Sequence, residues 1–191
     1  GSLDMDIDDP RAQRSRAAIL DAAVRVLVAS GISGATMDAV AVDAGVSRST
    51  LYRHFSDFGE LLFAALDRIA PAPVQVAGGV EDRIQAAAIG LARALREGPW
   101  GRMVGSILER AERDPEVRRY HVECPGARRR RMVEALRSAV GEGLLRPEVD
   151  VESLTTAIVA PLYYRHLVLH DPMDDAEVRT HLSATLAPLR T

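Results

Sequence analysis

The 191-residue chain contains no lysine, and all 24 of its basic residues are arginine. With abundant alanine and valine, that is the composition of a GC-rich coding sequence. Cysteine occurs once, at Cys124, which excludes a disulfide within the chain and makes a reducing cytoplasm the expected compartment. Aromatic residues make up only 4% of the chain, so Trp100 in the run GPWG stands out. No uninterrupted apolar run approaches the roughly 20 residues that span a bilayer. The acidic opening lacks the basic segment of a secretory leader, so neither a membrane partner nor export is expected. Alternation of apolar and polar residues never persists beyond a few positions, which excludes a sheet. Walker-type loops, G-x-S-x-G and H-E-x-x-H are missing as well. No enzyme, cofactor or metal is therefore expected.

The charge that is present is unevenly placed. The whole chain sums to −3. Residues 1–10 carry four Asp and no base, and are expected to form a disordered acidic tail closed by Pro10. Residues 11–56 carry six Arg against three Asp. Any surface that binds a polyanion must then be local.

Helical periodicity fills the rest. Ile19, Leu20, Ala23, Val24 and Leu27 form a stripe on a helix from Arg11 to Ser30, and Gly31 is placed to stop it. Thr36 can cap a second helix, Met37 to Ala44, which Gly45 breaks. Ser47 can cap a third that ends near His54, with Leu51 and Phe55 inward. A fourth is expected over about Asp57–Ile69. The Pro/Gly-rich run PAPVQVAGG separates these from later helices over about 81–96, 99–113, 115–143 (interrupted by CPG at 124–126), 151–169 and 175–189. The fold class is all-α.

Two short helices joined at a glycine form a helix-turn-helix. From Ser47 to Ser56 no residue is acidic, whereas a merely solvated face usually mixes signs. Arg48, Ser49, Thr50, Tyr52, Arg53 and His54 suit a helix that enters the DNA major groove. Arginine matches guanine, and the helix N-termini at Thr36 and Ser47 offer N–H groups to phosphates.

The run TMDAVAVDAGVSRSTLYRHFSDFGELLFAAL, residues 36–66, resembles the signature of the tetracycline-repressor (TetR) family of bacterial transcriptional regulators. The preceding SRAAILDAAVRVLVASGISGAT matches too. The resemblance implies a three-helix DNA-binding domain followed by a larger helical domain for ligand binding and dimerisation. The boundaries that follow are 11–56 for the first and 57–191 for the second, with 57–70 as a connecting helix. It implies that Thr36 caps its helix against a phosphate. Arg48, Ser49 and Thr50 reach bases or adjacent backbone, while Tyr52 and His54 hold phosphates. One position departs from the pattern: Phe58 stands where relatives usually carry a phosphate-contacting lysine. Arg53, or Arg11, Arg14 and Arg16, would compensate, and Phe58→Lys would strengthen binding. The expected function is a homodimeric repressor, released from a pseudo-palindromic double-stranded operator by a small apolar or amphipathic effector of unknown identity. The rival reading is a helical adaptor with weakened DNA binding.

In the second domain, the helix from Val151 to Leu169 is apolar over most of its circumference, more than one buried stripe requires. With the last helix it is the expected dimer interface, through Leu154, Ile158, Leu162, His166, Leu182 and Leu186. Candidate effector-lining residues are Trp100, Met103, Ile107, His121, Cys124, Met132 and Tyr163, chosen as bulky or adaptable side chains. His166 and His170 have a metal-like spacing of four, but a solvated helix end accounts for it equally. The RRRR run at 128–131 sweeps around its helix and cannot form one basic face.

Overall fold

A computed structural model describes residues 10–69, 76–123 and 127–191. Cys124 and the acidic residues 1–9 lie outside the described residues. Ten α-helices are present among those described, and no strand. They are α1 (Pro10–Gly34), α2 (Met37–Ala44), α3 (Arg48–His54), α4 (Phe58–Ile69) and α5 (Val80–Arg96). They continue with α6 (Pro99–Arg113), α7 (Pro115–Glu123), α8 (Ala127–Gly141), α9 (Val151–Tyr164) and α10 (Asp175–Leu186). The helices fall into two compact units. The first holds residues 10–69 and 105–123, and the second holds 76–104 and 127–191. The division is thus not a single cut after residue 56. α4, expected to connect the two domains, belongs to the first unit, together with the later half of α6 and all of α7.

In the first unit the local signals act as their chemistry dictates. Gly31 breaks α1 with φ 68°, a left-handed value open to glycine, and one further turn follows it. The Thr36 side chain accepts from the Ala39 N–H at 3.1 Å and caps α2. Gly45, at φ 66°, ends α2: its N–H bonds Val42 O and the Val46 N–H bonds Ala41 O. That pair is the glycine-terminated helix cap, and it aims the chain into α3. The buried face of α1 is Ile19, Ala22, Ala23, Val26 and Leu27. Leu20 and Val24, expected in that stripe, sit half-buried at its edge. Leu51 and Phe55 of the third helical segment are fully buried, as is Leu61 of α4 at 1% exposure. Arg25 pairs with Asp43 at 2.7 Å and Arg68 with Asp21 at 2.8 Å, tying α2 and α4 to α1.

α1 also amends the reading that no stretch could span a bilayer. It is long and apolar enough to cross a bilayer by length and composition alone. Here that apolarity supplies the core of the first unit.

The second unit packs α5, α8, α9 and α10 around Ile84, Leu91, Leu95, Met132, Leu136, Ile158 and Leu182. Asp174 and Glu177 form a reciprocal capping box at the start of α10. Beyond Pro161, α9 ends in a π-helical turn, Arg165–Leu169, closed by His170 at φ 52°.

Candidate nucleic-acid interface

α3 presents the side chains singled out from the sequence, on a short and tightly held element. Ser47 accepts from the Thr50 N–H at 3.1 Å, and its hydroxyl lies 2.9 Å from those of both Ser49 and Thr50. Arg53 reaches the Thr50 hydroxyl at 3.4 Å. Arg48, Ser49, Tyr52 and Arg53 are exposed, Tyr52 by 46%. Thr36 and Ser47 stand exposed at the N-termini of α2 and α3. A helix of this kind, capped, anchored by Leu51 and covered with cationic and hydroxyl groups, has what major-groove reading requires.

His54 is placed differently. Its Nε2 lies 3.0 Å from the Ser15 hydroxyl of α1, and its carbonyl accepts from Arg16. Burial, then the charges of Arg16 and Arg53, hold its pKa below the ordinary imidazole value. His54 therefore joins α3 to α1 rather than extending freely toward a phosphate. Arg16 is likewise a bracket: its guanidinium lies 4.0 Å over the Phe55 ring and pairs with Glu60 at 3.5 Å. It is not a free basic arm.

Phe58 corrects the expectation drawn from its position. It is 7% exposed. The Arg110 guanidinium of α6 sits 4.8 Å over its ring, and its N–H donates to Glu116 of α7 at 3.2 Å. Arg110 also donates to Ile32 O at 3.1 Å, at the end of α1. With Phe58 accounted for by packing, it no longer speaks for lost DNA binding.

An acid does reach this surface, although none lies within α3. Asp38, in the first turn of α2, meets Arg48 with Oδ1 3.0 Å from Nε. The sequence reading missed it because the partners lie on different helices and share no periodicity. Ser15, Arg110 and Glu116 were missed for the same reason.

The residues assigned to the dimer contact turn out to face inward. Leu154, Ile158, Leu162, Leu182 and Leu186 are all buried in the core of their own subunit, and that occupation corrects their assignment. His166 is also engaged within the subunit, through Nε2 to Gly101 O at 2.9 Å. The outward faces carry Thr156, Ala157, Ala160 and Tyr164 on α9 and Thr180, Ser183 and Ala184 on α10. The candidate effector residues divide between units. Ile107 is buried in the first, where exposed His121 tilts against Phe63 at 6.4 Å. Trp100, Met103, Met132 and Tyr163 belong to the second. Met132 is core there, while Trp100 and Tyr163 pack partly buried against that core. Arg128 lies 5.1 Å over the Trp100 ring. Burial raises the Tyr163 pKa, and the Arg128 charge partly offsets this.

The first unit, with its capped α2–turn–α3 pair, is that of a helix-turn-helix DNA-binding protein. The chain belongs to the TetR family of bacterial transcription regulators. Residues 19–65 match the family described as bacterial regulatory proteins, tetR family, and residues 75–185 match the tetracyclin repressor-like C-terminal domain. It is 30% identical over 178 residues to the uncharacterized HTH-type transcriptional regulator YdeS of Bacillus subtilis, covering 89% of this chain and 87% of that one. It is also 30% identical over 172 residues to the DNA-binding transcriptional repressor TetR of Mycobacteroides abscessus, covering 87% and 88%. Among solved structures, the TetR family transcription regulator SCO0332 superposes with a TM-score of 0.72 at 27% identity, over 93% of this chain and 100% of that one. MexZ, a repressor responsible for antibiotic resistance in Pseudomonas aeruginosa, gives 0.56 at 27% identity, over 94% and 96%. The protein is a DNA-binding transcriptional regulator, and its relatives are regulators rather than enzymes.

Proposed function

We propose that the protein is a cytoplasmic repressor that binds a pseudo-palindromic operator as a homodimer and leaves it when a small molecule binds the second unit. The observation that carries this reading is α3, which is preformed, capped at Ser47 and free of acid along its own length. One such helix reads only a few base pairs. Two related by a twofold axis read half-sites about 34–36 Å apart, or a multiple of that. Thr36 and Ser47 present N–H groups to phosphates, Arg48, Ser49 and Thr50 meet bases or adjacent backbone, and Tyr52 and Arg53 hold the flanking phosphates. The effector is apolar or amphipathic, taken beside Trp100, Met103 and Tyr163. It acts by favouring a dimer conformation in which the two recognition helices no longer match the operator. A coupling of about 1–3 kcal/mol is the ordinary size of such an effect.

The test is binding of the purified protein to tiled duplexes from the DNA flanking its own gene, at two salt concentrations. A site bound about 10³-fold above random sequence, and lost in Arg48→Ala, supports the reading. Uniform weak binding that ignores sequence refutes it. Once a site is found, a ligand that binds yet leaves operator affinity unchanged refutes the sensor half.

A further inference from the structure

We propose, resting on the DNA-reading role given above to α3, that Asp38 is the positioning residue for base readout by Arg48. The two residues belong to separate helices, the first turn of α2 and the first position of α3, and the turn at Gly45 brings them to 3.0 Å. The contact is made at Nε. The carboxylate therefore lies nearest the inner nitrogen, and the two terminal nitrogens can serve as a planar fork, the shape that matches O6 and N7 of a guanine.

Both side chains are more than 60% exposed, at 64% and 62%. In water such a pair contributes little. Inside a groove, the water that screens it is displaced and the attraction grows. Without Asp38, an arginine at the start of this helix would have a nearby phosphate as an alternative partner. A phosphate contact strengthens binding to every sequence alike and carries no base information. The carboxylate opposes that alternative twice, by holding the guanidinium and by repelling phosphate. The neighbours of Arg48 are restrained in the same manner: Ser49 and Thr50 are tied to Ser47, and Arg53 to Thr50. The first turns of the reading helix are thus ordered before DNA arrives, which lowers the entropic cost of reading.

The experiment uses the full chain and a duplex recovered from a randomised pool by selection against the wild-type protein. It also uses versions of that duplex with each guanine pair replaced, and a random duplex. Affinities are measured across a salt series. For Asp38→Asn, the preference for the selected duplex over one guanine-replaced version should fall about tenfold or more. Binding to the random duplex should tighten, and the slope of log K against log salt should steepen by about 0.9 as Arg48 moves to a phosphate. Arg48→Ala should lose the same guanine preference, and the double variant should show no further loss of that preference beyond Arg48→Ala alone. The proposal is overturned if Asp38→Asn tightens all duplexes by one common factor with the slope unchanged. It is equally overturned if the losses of guanine preference from the two substitutions add, or if the selected motif contains no guanine that responds to Arg48→Ala.

Discussion

Phe58 and His54 show how a side chain's role follows from what surrounds it rather than from where it falls in a motif. Phe58 is enclosed by α6 and α7, with a guanidinium over its ring. Replacing it with lysine removes a large buried aromatic, a change of about 3–5 kcal/mol when the replacement is alanine. It also buries a charge beside Arg110. Phe58→Lys should therefore lower the thermal unfolding midpoint by several degrees and bring no gain in DNA affinity; a stable variant with tighter binding would contradict this. His54 titrates abnormally because burial and two arginines oppose its charge. Its folded pKa lies below the unfolded value of about 6.5, so the unfolded state takes up the proton first. The stability it contributes is complete above that value and is lost as pH falls toward the folded pKa. In urea titrations between pH 7.5 and 5.5, the wild-type midpoint should fall more than that of His54→Gln. Parallel curves would show that His54 does not carry the effect. None of these surroundings is legible in the sequence. Thr36, Gly45 and Ser47 are, because a cap acts on atoms two to five residues away, whereas the Ser15–His54 contact closes a loop of 39 residues.

The helices are legible almost throughout, since apolar stripes mark their spans and several begin at a capping side chain or stop at a glycine. What periodicity cannot reveal is which neighbour receives the stripe. Leu154, Ile158 and Leu162 fall on one face of α9, and that face meets the protein's own core. Spacing of this kind looks the same whether the partner is the same chain or a second copy. The pairing of α4 with α7 was hidden for a related reason, since they lie about fifty residues apart. It depends on Gly59, where a Cβ would fall 2.6 Å from the Glu116 carbonyl oxygen. Gly59→Ala improves helix propensity by about 1 kcal/mol. It also forces two backbones apart, at a cost of about 1–3 kcal/mol. The crowding against backbone should prevail, so differential scanning calorimetry should show a lower midpoint for Gly59→Ala. A raised midpoint would mean that α7 yields readily.

At the scale of the whole molecule, the family acts as dimers, and the surface we propose for the partner is the outward side of α9 and α10. Small residues, Ala157, Ala160, Ser183 and Ala184, are exposed there, together with Tyr164 and Arg179. Small side chains let helices approach closely, and a long charged one would hold them apart. Ala160→Arg should therefore shift the protein toward monomer in sedimentation velocity. It should weaken operator binding by roughly 10²–10⁴-fold, because two half-sites are no longer bound together. A dimeric Ala160→Arg would place the contact elsewhere. The expected boundary after residue 56 does not coincide with the chain's folding units. The DNA-reading unit closes only when residues 105–123 return to cover Phe58 and Gly59. Anyone transplanting this reading head onto a different sensor by splicing after α4 would leave behind a wall of its core. A working chimera must carry the later half of α6 and α7 along with the first four helices.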